Sequence, residues 1–450
     1  MESKHAVLYA DDGCTYLHAP GVYLPHLALS SVNAFADIAL EQGITAVWVM
    51  PSAPTIEKGY TGGAWSIQEN HRHGKLATIS VYKRGQKHNH LNIIYPAHTA
   101  WSTIFDGAAP KEIMGAATYL ERALGVPITG SPTTAGWAYL KKLHPEWIEN
   151  IPVDLREMHF TAHAGTDIIW QRPLTQGETE CVYLHKFDKS GAYPYAATQT
   201  DIGVGTPVHV DHGLDAVHEK GHPQEVGVWR CTIACNPDPE AYNTLLPPPW
   251  NEQKGVAWVG WLAGPIIRLL RATGHIVTIM EGYVFPQRHD LLMQWANNLW
   301  NIRQGFDDLT RWPGARSARL AQKGTKQIMN STIGYTAFKG FDEDEEEKRR
   351  PDIRLQVVAR NRELVWHNLF KTSRLDGQTP IMVYIDAAYY ISNERNGRAA
   401  LPSLVRREGQ FGGFRWEGCI EMDAAILEMF RAKMPVAQRL TYLNQRGGMV

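Results

Sequence analysis

Cysteine is scarce in this sequence, with five residues among 450, at positions 14, 181, 231, 235 and 419. An odd and mostly scattered set does not form the disulfide framework of a small secreted protein. It also lacks the C-x-x-C pairs that structural zinc sites use. The cysteine pattern therefore predicts a reduced, cytoplasmic setting.

A long apolar run is missing as well. The longest mainly apolar stretch, residues 257–270, is interrupted by two glycines, a proline and an arginine, and it is too short to span a bilayer. The N-terminal MESKHAVLYADDG has neither the basic region nor the apolar core of a signal peptide. We therefore expect no membrane partner. A content of 44% hydrophobic and 20% charged residues in 450 positions is typical of a soluble globular protein with two or three domains.

Charge is balanced overall, with a formal net charge of −1, so the composition alone gives no sign of a nucleic-acid partner. Residues 251–340, however, contain 11 lysines and arginines against 5 aspartates and glutamates. The acidic run FDEDEEEKRRPD follows at 341–352. A basic segment of this kind fits a phosphate-binding face, and a solvated surface with an accidental bias is the alternative.

The order of apolar segments and turns predicts a mixed chain. Residues 1–150 alternate short apolar segments with turns marked by glycine and proline, which predicts an α/β unit. Residues 198–255 are rich in Gly, Pro and His and predict a long irregular insertion. The other predicted elements are strands at 181–188 and 275–285, a β-hairpin at 380–392, and helices at 110–124, 130–146, 287–304, 315–333, 353–370 and 422–434.

Three segments carry residues suited to phosphoryl transfer. The stretch HKFDKSGAYPYAA places Asp188 at the end of a strand, before a sharp turn, and a plain surface turn is the alternative interpretation. KQIMNSTIG at 326–334 ends a basic helix, and YIDAAY at 384–389 places Asp386 at the bend of a hairpin. Nucleotide transfer needs carboxylates that hold divalent metals about 3.5–4 Å apart and cations on the triphosphate.

These segments resemble, in order, the three polymerase motifs of family B DNA polymerases. The family's D-x-x-S-L-Y-P-S is similar to DKSGAYPY, with the serine one place early at Ser190. K-x-x-x-N-S-x-Y-G is similar to KQIMNSTIG, where Ile333 replaces the tyrosine, and Y-x-D-T-D-S is similar to YIDAAY. EGYVFPQRHDLLMQWANNLWNIR resembles the segment before the second motif, and GGFRWEG resembles the one that meets the primer after the third.

The resemblance implies an α+β fold with right-hand polymerase architecture: a palm with an antiparallel sheet, helical-hairpin fingers and a short thumb. An N-terminal α/β domain would resemble an exonuclease, but Asp11 and Asp12 are not followed by the glutamate of the D-x-E motif, so proofreading is not expected. The implied boundaries are 1–150 for the N-terminal domain, 151–280 for the first palm part with its insertion 198–255, 281–340 for the fingers, 341–418 for the second palm part and 419–450 for the thumb.

The resemblance also implies residue roles. Asp188 and Asp386 would be the catalytic acids and the ligands of Mg²⁺ or Mn²⁺, and Tyr193 would lie under the sugar of the incoming nucleotide and select against a 2′-hydroxyl. The other nucleotide-binding residues would be Lys326, Arg303, Asn330, Ser331 and Gly334. The DNA-binding residues would be Arg316, Arg319, Lys323, Tyr384 and Arg415.

One departure leaves the activity open, because Ala388 stands where the family has its second acid of the third motif. Either Asp386 takes over the ligand role, or metal binding is crippled. The first alternative predicts a template-directed DNA polymerase, of the kind found in a phage or mobile element, whose partners are primer-template DNA, deoxynucleoside triphosphates and a priming or processivity protein. The second predicts a weakened polymerase-like protein that binds DNA ends or origins. An unrelated α/β protein with chance motif matches is a third hypothesis.

A separate group of histidines and cysteines lies in the predicted insertion. It comprises His209, Asp211, His212, His218, His222, Cys231 and Cys235. His218 and His222 are spaced to share one metal if helical, but Gly221 and Pro223 oppose a helix there. A structural zinc and a polar loop of hydrogen-bonded histidines are the two interpretations.

Overall fold

In the computed structural model, the chain forms two compact units. Unit 1 comprises residues 1–145 and 297–335, and unit 2 comprises residues 146–296 and 336–450. Among the helices that are described, none is long and apolar enough to cross a membrane. The structure describes residues 4–12, 14–25, 27, 31–53, 56, 65–72, 75–84, 90–128, 130–144, 167–211, 226–234, 245–248, 258–309, 315–337, 350–432 and 434–445.

A seven-stranded sheet forms the centre of unit 1, in the order β3-β2-β1-β4-β7-β6-β5. Strands β1, β4 and β7 run parallel, and the other neighbours pair antiparallel. The parallel strands are apolar on both faces because both faces are covered. The strands are β1 (His5–Asp11), β2 (Cys14–Ala19), β3 (Val22–Leu24), β4 (Ala46–Val49), β5 (Trp65–Arg72), β6 (Lys75–Lys83) and β7 (His90–Ile94).

The helices of unit 1 begin and end where the sequence signals predict. Ser31 and Ser131 cap α1 and α4 with their side chains, and α3 begins at Pro110 and ends before Gly125, whose φ of 61° suits a glycine. The prediction of a helix at 110–124 is confirmed. The helices are α1 (Val32–Glu41), α2 (Ser102–Phe105), α3 (Pro110–Leu124), α4 (Pro132–Leu143) and α8 (Arg316–Tyr335). Helix α7 (Leu291–Leu309) belongs to unit 1 from Asn297 onward.

Helix α8 packs tightly against α3 and α4, and glycines make the close approach possible. A Cβ on Gly136 of α4 would lie 1.9 Å from Thr332 Oγ1, and a Cβ on Gly115 of α3 would lie 2.5 Å from Ser317 Oγ. Within α8, a Cβ on Gly324 would lie 2.9 Å from a methyl of Leu120. The apolar face of α8 is therefore part of the core of unit 1.

A buried polar contact joins α3 to the sheet of unit 1. Trp48 Nε1, which can only donate, lies 3.3 Å from His5 Nδ1, so that nitrogen is the acceptor. The other ring nitrogen, Nε2, then carries the proton and donates to Glu121 Oε2 at 2.6 Å. The tautomer of His5 therefore follows from its two partners.

The described residues of unit 2 form three antiparallel sheets. Their strand orders are β18-β9-β17-β16-β8, β11-β14-β12-β13 and β10-β15. The strands are β8 (Ile169–Gln171), β9 (Tyr183–Lys189), β10 (Ile202–Val204), β11 (Val208–Asp211), β12 (Gly227–Ala234), β13 (Trp258–Ala263), β14 (Ile276–Val284), β15 (Gln287–His289), β16 (Met382–Tyr384), β17 (Ala387–Ser392) and β18 (Phe414–Glu421). The helices are α5 (Ala192–Ala197), α6 (Gly264–Ala272), the start of α7, α9 (Pro351–Leu375), α10 (Gly397–Ala400), α11 (Ala424–Arg431) and α12 (Val436–Gln445).

The five-stranded sheet has an apolar core on each face. On one face Phe187, Ala388 and Tyr390 pack in one cluster with Val365 and Trp366 of α9. On the other face, residues of β9 and β17 pack with α11 and α12, and they include Leu184, Ala387, Tyr389 and Ile391. The α+β class predicted from the sequence is confirmed, and the central strand β17 is buried along its whole length.

Several sequence predictions of local structure were wrong at their edges. The helix expected from 287 begins at Leu291, because residues 287–289 pair as β15 with β10. The helix expected at 422–434 ends at Arg431 and a second one begins at Val436, directly after Pro435, which cannot donate an amide. The segment 198–255 is not irregular throughout, since β10, β11 and β12 lie within it.

Candidate active site

The two motif aspartates meet at one end of the five-stranded sheet of unit 2. Asp188 is the penultimate residue of β9, and Asp386 lies in the two-residue turn between β16 and β17. The register pairs Ala387 with Asp188. Lys189 N donates to Asp386 O at 3.3 Å on one side of the turn, and Ile385 N donates to Ile168 O at 2.7 Å on the other. The turn therefore lies between the end of β9 and the start of β8.

The turn itself is strained. Ile385 has a φ of 61°, which is uncommon for any residue with a Cβ and least favourable for a β-branched one. Such a conformation costs about 1–3 kcal/mol and persists where the surroundings enforce it. Backbone hydrogen bonds to both neighbouring strands do so here, and they fix the position of Asp386.

Asp386 has a perturbed acidity. Burial raises the pKa of its carboxyl, the negative charge of Asp188 raises it further, and the result is about 7. The positive charge of Lys189 acts in the opposite direction and does not offset the other two effects. The two carboxylates are therefore close enough to repel each other, which is a feature typical of functional sites.

Lys189 is a residue that the sequence interpretation missed. Only 1% of it is exposed, and its Nζ has no hydrogen-bond partner among the described residues. The Nζ lies 5.5 Å from the centre of the Tyr195 ring. Burial lowers the pKa of this amine to about 7, although the charge of Asp386 favours its protonated form. A buried amine with a lowered pKa therefore lies beside Asp188 and Asp386.

Arg415 on β18 lies on the other side of β9. Its Nη2 is 3.7 Å from Asp188 Oδ2 and 2.5 Å from Glu417 Oε1. Glu417 also accepts from Lys186 Nζ at 2.8 Å. Arg415 was predicted to bind DNA, and in this structure its guanidinium is placed against the candidate metal ligand Asp188.

Tyr193 reaches the same end of the sheet from the short helix α5. Gly191, with a φ of 63°, turns the chain sharply after β9 and starts α5. The Tyr193 hydroxyl donates a hydrogen bond to Asp167 Oδ1. Burial and the carboxylate of Asp167 raise the pKa of this phenol above its ordinary value, and Asp386 adds to the shift. Asp167 was not predicted as a site residue, because it lies outside all three motifs.

Position 388 faces away from Asp188. Ala387 lies opposite Asp188, and Ala388 lies opposite Phe187, so alternation along β17 puts the two alanines on opposite faces of the sheet. Ala388 has no exposed surface and packs in the cluster that contains Phe187 and Trp366. In this register an acid at 388 would enter the core rather than approach Asp188.

The donor set at this end of the sheet is of the kind that hard cations prefer. Asp188 and Asp386 supply carboxylate oxygens, and their mutual repulsion would be relieved by a divalent ion between them. In the part of the chain that is described, no group of three or more His, Cys, Asp or Glu side chains is arranged to hold a metal. Asp188 and Asp386 are thus a pair of candidate carboxylate ligands within the described part of the chain.

Comparison with solved structures identifies the fold. One structure of Phi29 DNA polymerase, complexed with primer-template DNA and incoming nucleotide substrates, matches with a TM-score of 0.58 at 12% identity, over 93% of this chain and 86% of that one. Another, its binary complex with primer-template DNA, matches with a TM-score of 0.55 at 11% identity, over 93% and 85% of the two chains. This chain has the fold of Phi29 DNA polymerase.

The likeness to Phi29 DNA polymerase confirms, at the level of the fold, the resemblance predicted from the three motifs. No protein-family model matches the chain, and no curated protein matches it in sequence. With identities of 11–12% the likeness shows the fold and leaves the chemistry to the residues of this chain.

In this Phi29-like fold, the predicted residues of the second motif lie on α8 in unit 1. The buried positions of α8 face α3 and α4, and Ser331 lies between the buried and exposed faces. The predicted phosphate- and DNA-binding residues that share the exposed face are Arg316, Arg319, Lys323, Lys326, Asn330 and Gly334. We call this set the α8 stripe. Its members lie on one face of the helix because they are spaced three or four residues apart.

Two of the predicted cations of unit 1 already have partners. Arg316 donates to Gly107 O at 2.8 Å and lies 3.4 Å from Glu112 Oε2. The Arg303 guanidinium lies 5.4 Å from the centre of the Trp300 ring on α7. The structure places Asp188, Asp386, Tyr193, Tyr384 and Arg415 in unit 2, and Arg303 and the α8 stripe in unit 1.

The other predicted sites are only partly described. His209 pairs with Glu281 at 3.1 Å, and Cys231 is buried, so neither joins a metal cluster among the described side chains. The predictions for His212, His218, His222 and Cys235, and for the acidic run 342–347, concern residues outside the described ones. Asp11 and Asp12 are exposed at the end of β1.

Proposed function

We propose that this chain is a template-directed DNA polymerase that adds deoxynucleotides to a 3′-hydroxyl or a priming hydroxyl, without proofreading. The observation that carries the proposal is the convergence of Asp188 and Asp386 at one end of an antiparallel sheet, in a chain with the fold of Phi29 DNA polymerase. The structures of that protein include complexes with primer-template DNA and with incoming nucleotides.

In this proposal the sheet of β8, β9, β16, β17 and β18 is the palm, residues 281–340 are the fingers, and residues 419–450 are a short thumb. The α/β part of residues 1–150 is an exonuclease-like scaffold. The absence of a D-x-E motif after Asp11 and Asp12 supports a scaffold without proofreading.

Asp188 and Asp386 would hold Mg²⁺ or Mn²⁺ through their carboxylate oxygens. A bound divalent ion lowers the pKa of the attacking hydroxyl and neutralises charge on the transferring phosphoryl group. Lys326 and Arg303 bind the triphosphate, while Asn330, Ser331 and Gly334 form the wall against the nascent base pair. Tyr193 closes the space beneath the sugar.

DNA contacts in this proposal come from exposed cations. Arg316, Arg319 and Lys323 of the α8 stripe are positioned on one helix face, where they can follow a phosphate backbone. Arg415 and Tyr384 contact the primer end, and contact with the primer would draw Arg415 away from Asp188. A priming or processivity protein is an additional proposed partner.

Primer extension with Mg²⁺ or Mn²⁺ tests the proposal. The wild-type chain should extend a primed template, and Asp188→Asn and Asp386→Asn should each reduce extension by at least about a hundredfold, the scale of removing a preorganised charge contact. Asp201→Asn is the matched control, because this exposed carboxylate pairs with Arg288, outside the candidate site. Extension by both site variants at the wild-type rate would refute the assignment.

A second candidate function is favoured by the donor set, because the described residues hold no group of three or more side chains arranged for a metal. It is a polymerase-like protein that binds DNA ends or origins without efficient synthesis. This candidate predicts DNA binding that weakens steeply with salt, because phosphate contacts release counterions. It also predicts no nucleotide incorporation with either metal.

A further inference from the structure

Asp167 is brought to the candidate site by the edge of the sheet and not by any motif. Strand β8 begins two residues later and pairs with β16, with Ile169 opposite Tyr384. The next residue, Ile168, accepts a hydrogen bond from Ile385 in the strained turn. Asp167 therefore lies just before β8, beside the turn that holds Asp386. The negative charge of Asp167 raises the pKa of Asp386, which agrees with this closeness.

Tyr193 approaches the same point from the opposite side. It stands in the first turn of α5, which follows the Gly191 bend at the end of β9. Its hydroxyl donates to Asp167 Oδ1, and the negative charge of Asp386 contributes to the raised pKa of the phenol. The phenol is thus fixed at both ends, by the α5 backbone and by the carboxylate of Asp167.

We propose that Asp167 is a positioning residue that fixes the ring of Tyr193 and so sets the selectivity for deoxyribonucleotides over ribonucleotides. The proposal rests on the proposed polymerase function. A ring that closes the space under a sugar excludes a 2′-hydroxyl only while the ring is held in place. The hydrogen bond to Asp167 prevents the ring from rotating out of that space, because rotation would leave a half-buried phenol and carboxylate unpaired.

The alternative for Asp167 is a third metal carboxylate, in place of the acid missing at 388. Two observations favour the positioning role. Oδ1 of Asp167 already accepts a hydrogen bond from the Tyr193 hydroxyl, and no arrangement of three acids suited to a metal is found among the described residues. The two roles make different predictions for an amide at this position, since an amide oxygen still accepts a hydrogen bond while a charge is lost.

The test compares Asp167→Ala, Asp167→Asn, Tyr193→Phe and the double variant Asp167→Ala/Tyr193→Phe in single-nucleotide extension. The measured quantity is the ratio of kcat/KM for dATP to kcat/KM for ATP, opposite the same template base. Asp167→Ala and Tyr193→Phe should each lower this ratio by about fivefold, the factor for one lost hydrogen bond, through a lower KM for ATP. Asp167→Asn should keep the wild-type ratio, and the double variant should match the single ones.

Three results would overturn the proposal. The first is an unchanged ratio in Asp167→Ala. The second is an equal loss of kcat for dATP in Asp167→Ala and Asp167→Asn with an altered Mn²⁺ requirement, which would make Asp167 a metal ligand. The third is an equal preference for dATP over ATP in wild type and Asp167→Ala when equilibrium binding of the two nucleotides is measured. This binding measurement is used if the wild-type chain does not extend primers, a result that would reject the proposed function but not the role of Asp167.

Discussion

Putting the missing acid back into β17 should give opposite results at two adjacent positions. The family pattern suggests Ala388→Asp, but the register places Ala388 opposite Phe187 in the core and Ala387 opposite Asp188. Ala387→Asp therefore adds a carboxylate beside Asp188, and Ala388→Asp adds one to the apolar cluster on the other face. Ala387→Asn is the matched control, since it has the same size without the charge.

The magnitudes follow from burial. Ala388 is 0% exposed, and burial would raise the pKa of a carboxyl there by about 3 units, which costs roughly 4 kcal/mol at neutral pH. For a unit of this size that loss lowers Tm on the order of 10 °C. Ala387 is 7% exposed and packs in the cluster with α11 and α12, so Ala387→Asp also carries a burial cost. Because cross-strand Cβ atoms lie about 5 Å apart, it adds a repulsion with Asp188 as well, which a dication would relieve.

Thermal unfolding with and without Mn²⁺ measures both effects. Ala388→Asp should unfold well below wild type, with no added response to metal. Ala387→Asp should be destabilised without metal and should gain on the order of 5–10 °C when Mn²⁺ reaches about a hundredfold excess over its Kd. A stable Ala388→Asp with a large metal response, beside an Ala387→Asp with none, would show that the reasoning from register is wrong.

Two further predictions concern cations. Lys189→Met should raise Tm, because burial lowers the pKa of the Lys189 amine to about 7 and so makes its charged form costly in the folded state. This cost to the stability of the wild type is full below pH 7 and disappears above the unfolded pKa of 10.5. The gain in Tm should therefore shrink from pH 7 to pH 10.5 in a pH series. A gain that grows with pH would contradict this. Lys323→Ala should reduce the slope of log K for DNA against log salt by about 1, without changing Tm, because Lys323 is exposed on the α8 stripe; an unchanged slope would remove Lys323 from the DNA contact.

The sequence predicted those parts of the site that lie within local motifs. Asp188, Tyr193 and Asp386 are each marked by neighbours in the chain, and the helix of the second motif has a clear apolar period. Asp167 gives no such signal, because the pairing of β8 with β16 brings it to Tyr193 from a distant part of the chain. Lys189 was missed for a related reason, since a lysine next to a motif acid reads as exposed until the sheet around it is known.

The same limit explains why the sequence left the consequence of Ala388 open. The motif spacing identified the substitution, but the side of the sheet to which residue 388 points depends on where the turn begins. A two-residue turn at Ile385 and Asp386 makes Ala387 the first strand position. A turn shifted by one residue would exchange the faces.

The glycine contacts of α8 have a consequence for any attempt to shorten the protein. Gly115 and Gly136 let α3 and α4 lie directly against the helix whose other face carries the α8 stripe. Deleting residues 1–145 would therefore remove the helices against which Thr332 and the rest of that apolar face pack. We expect such a truncated chain to lose the fold of α8, and with it the arrangement of the α8 stripe.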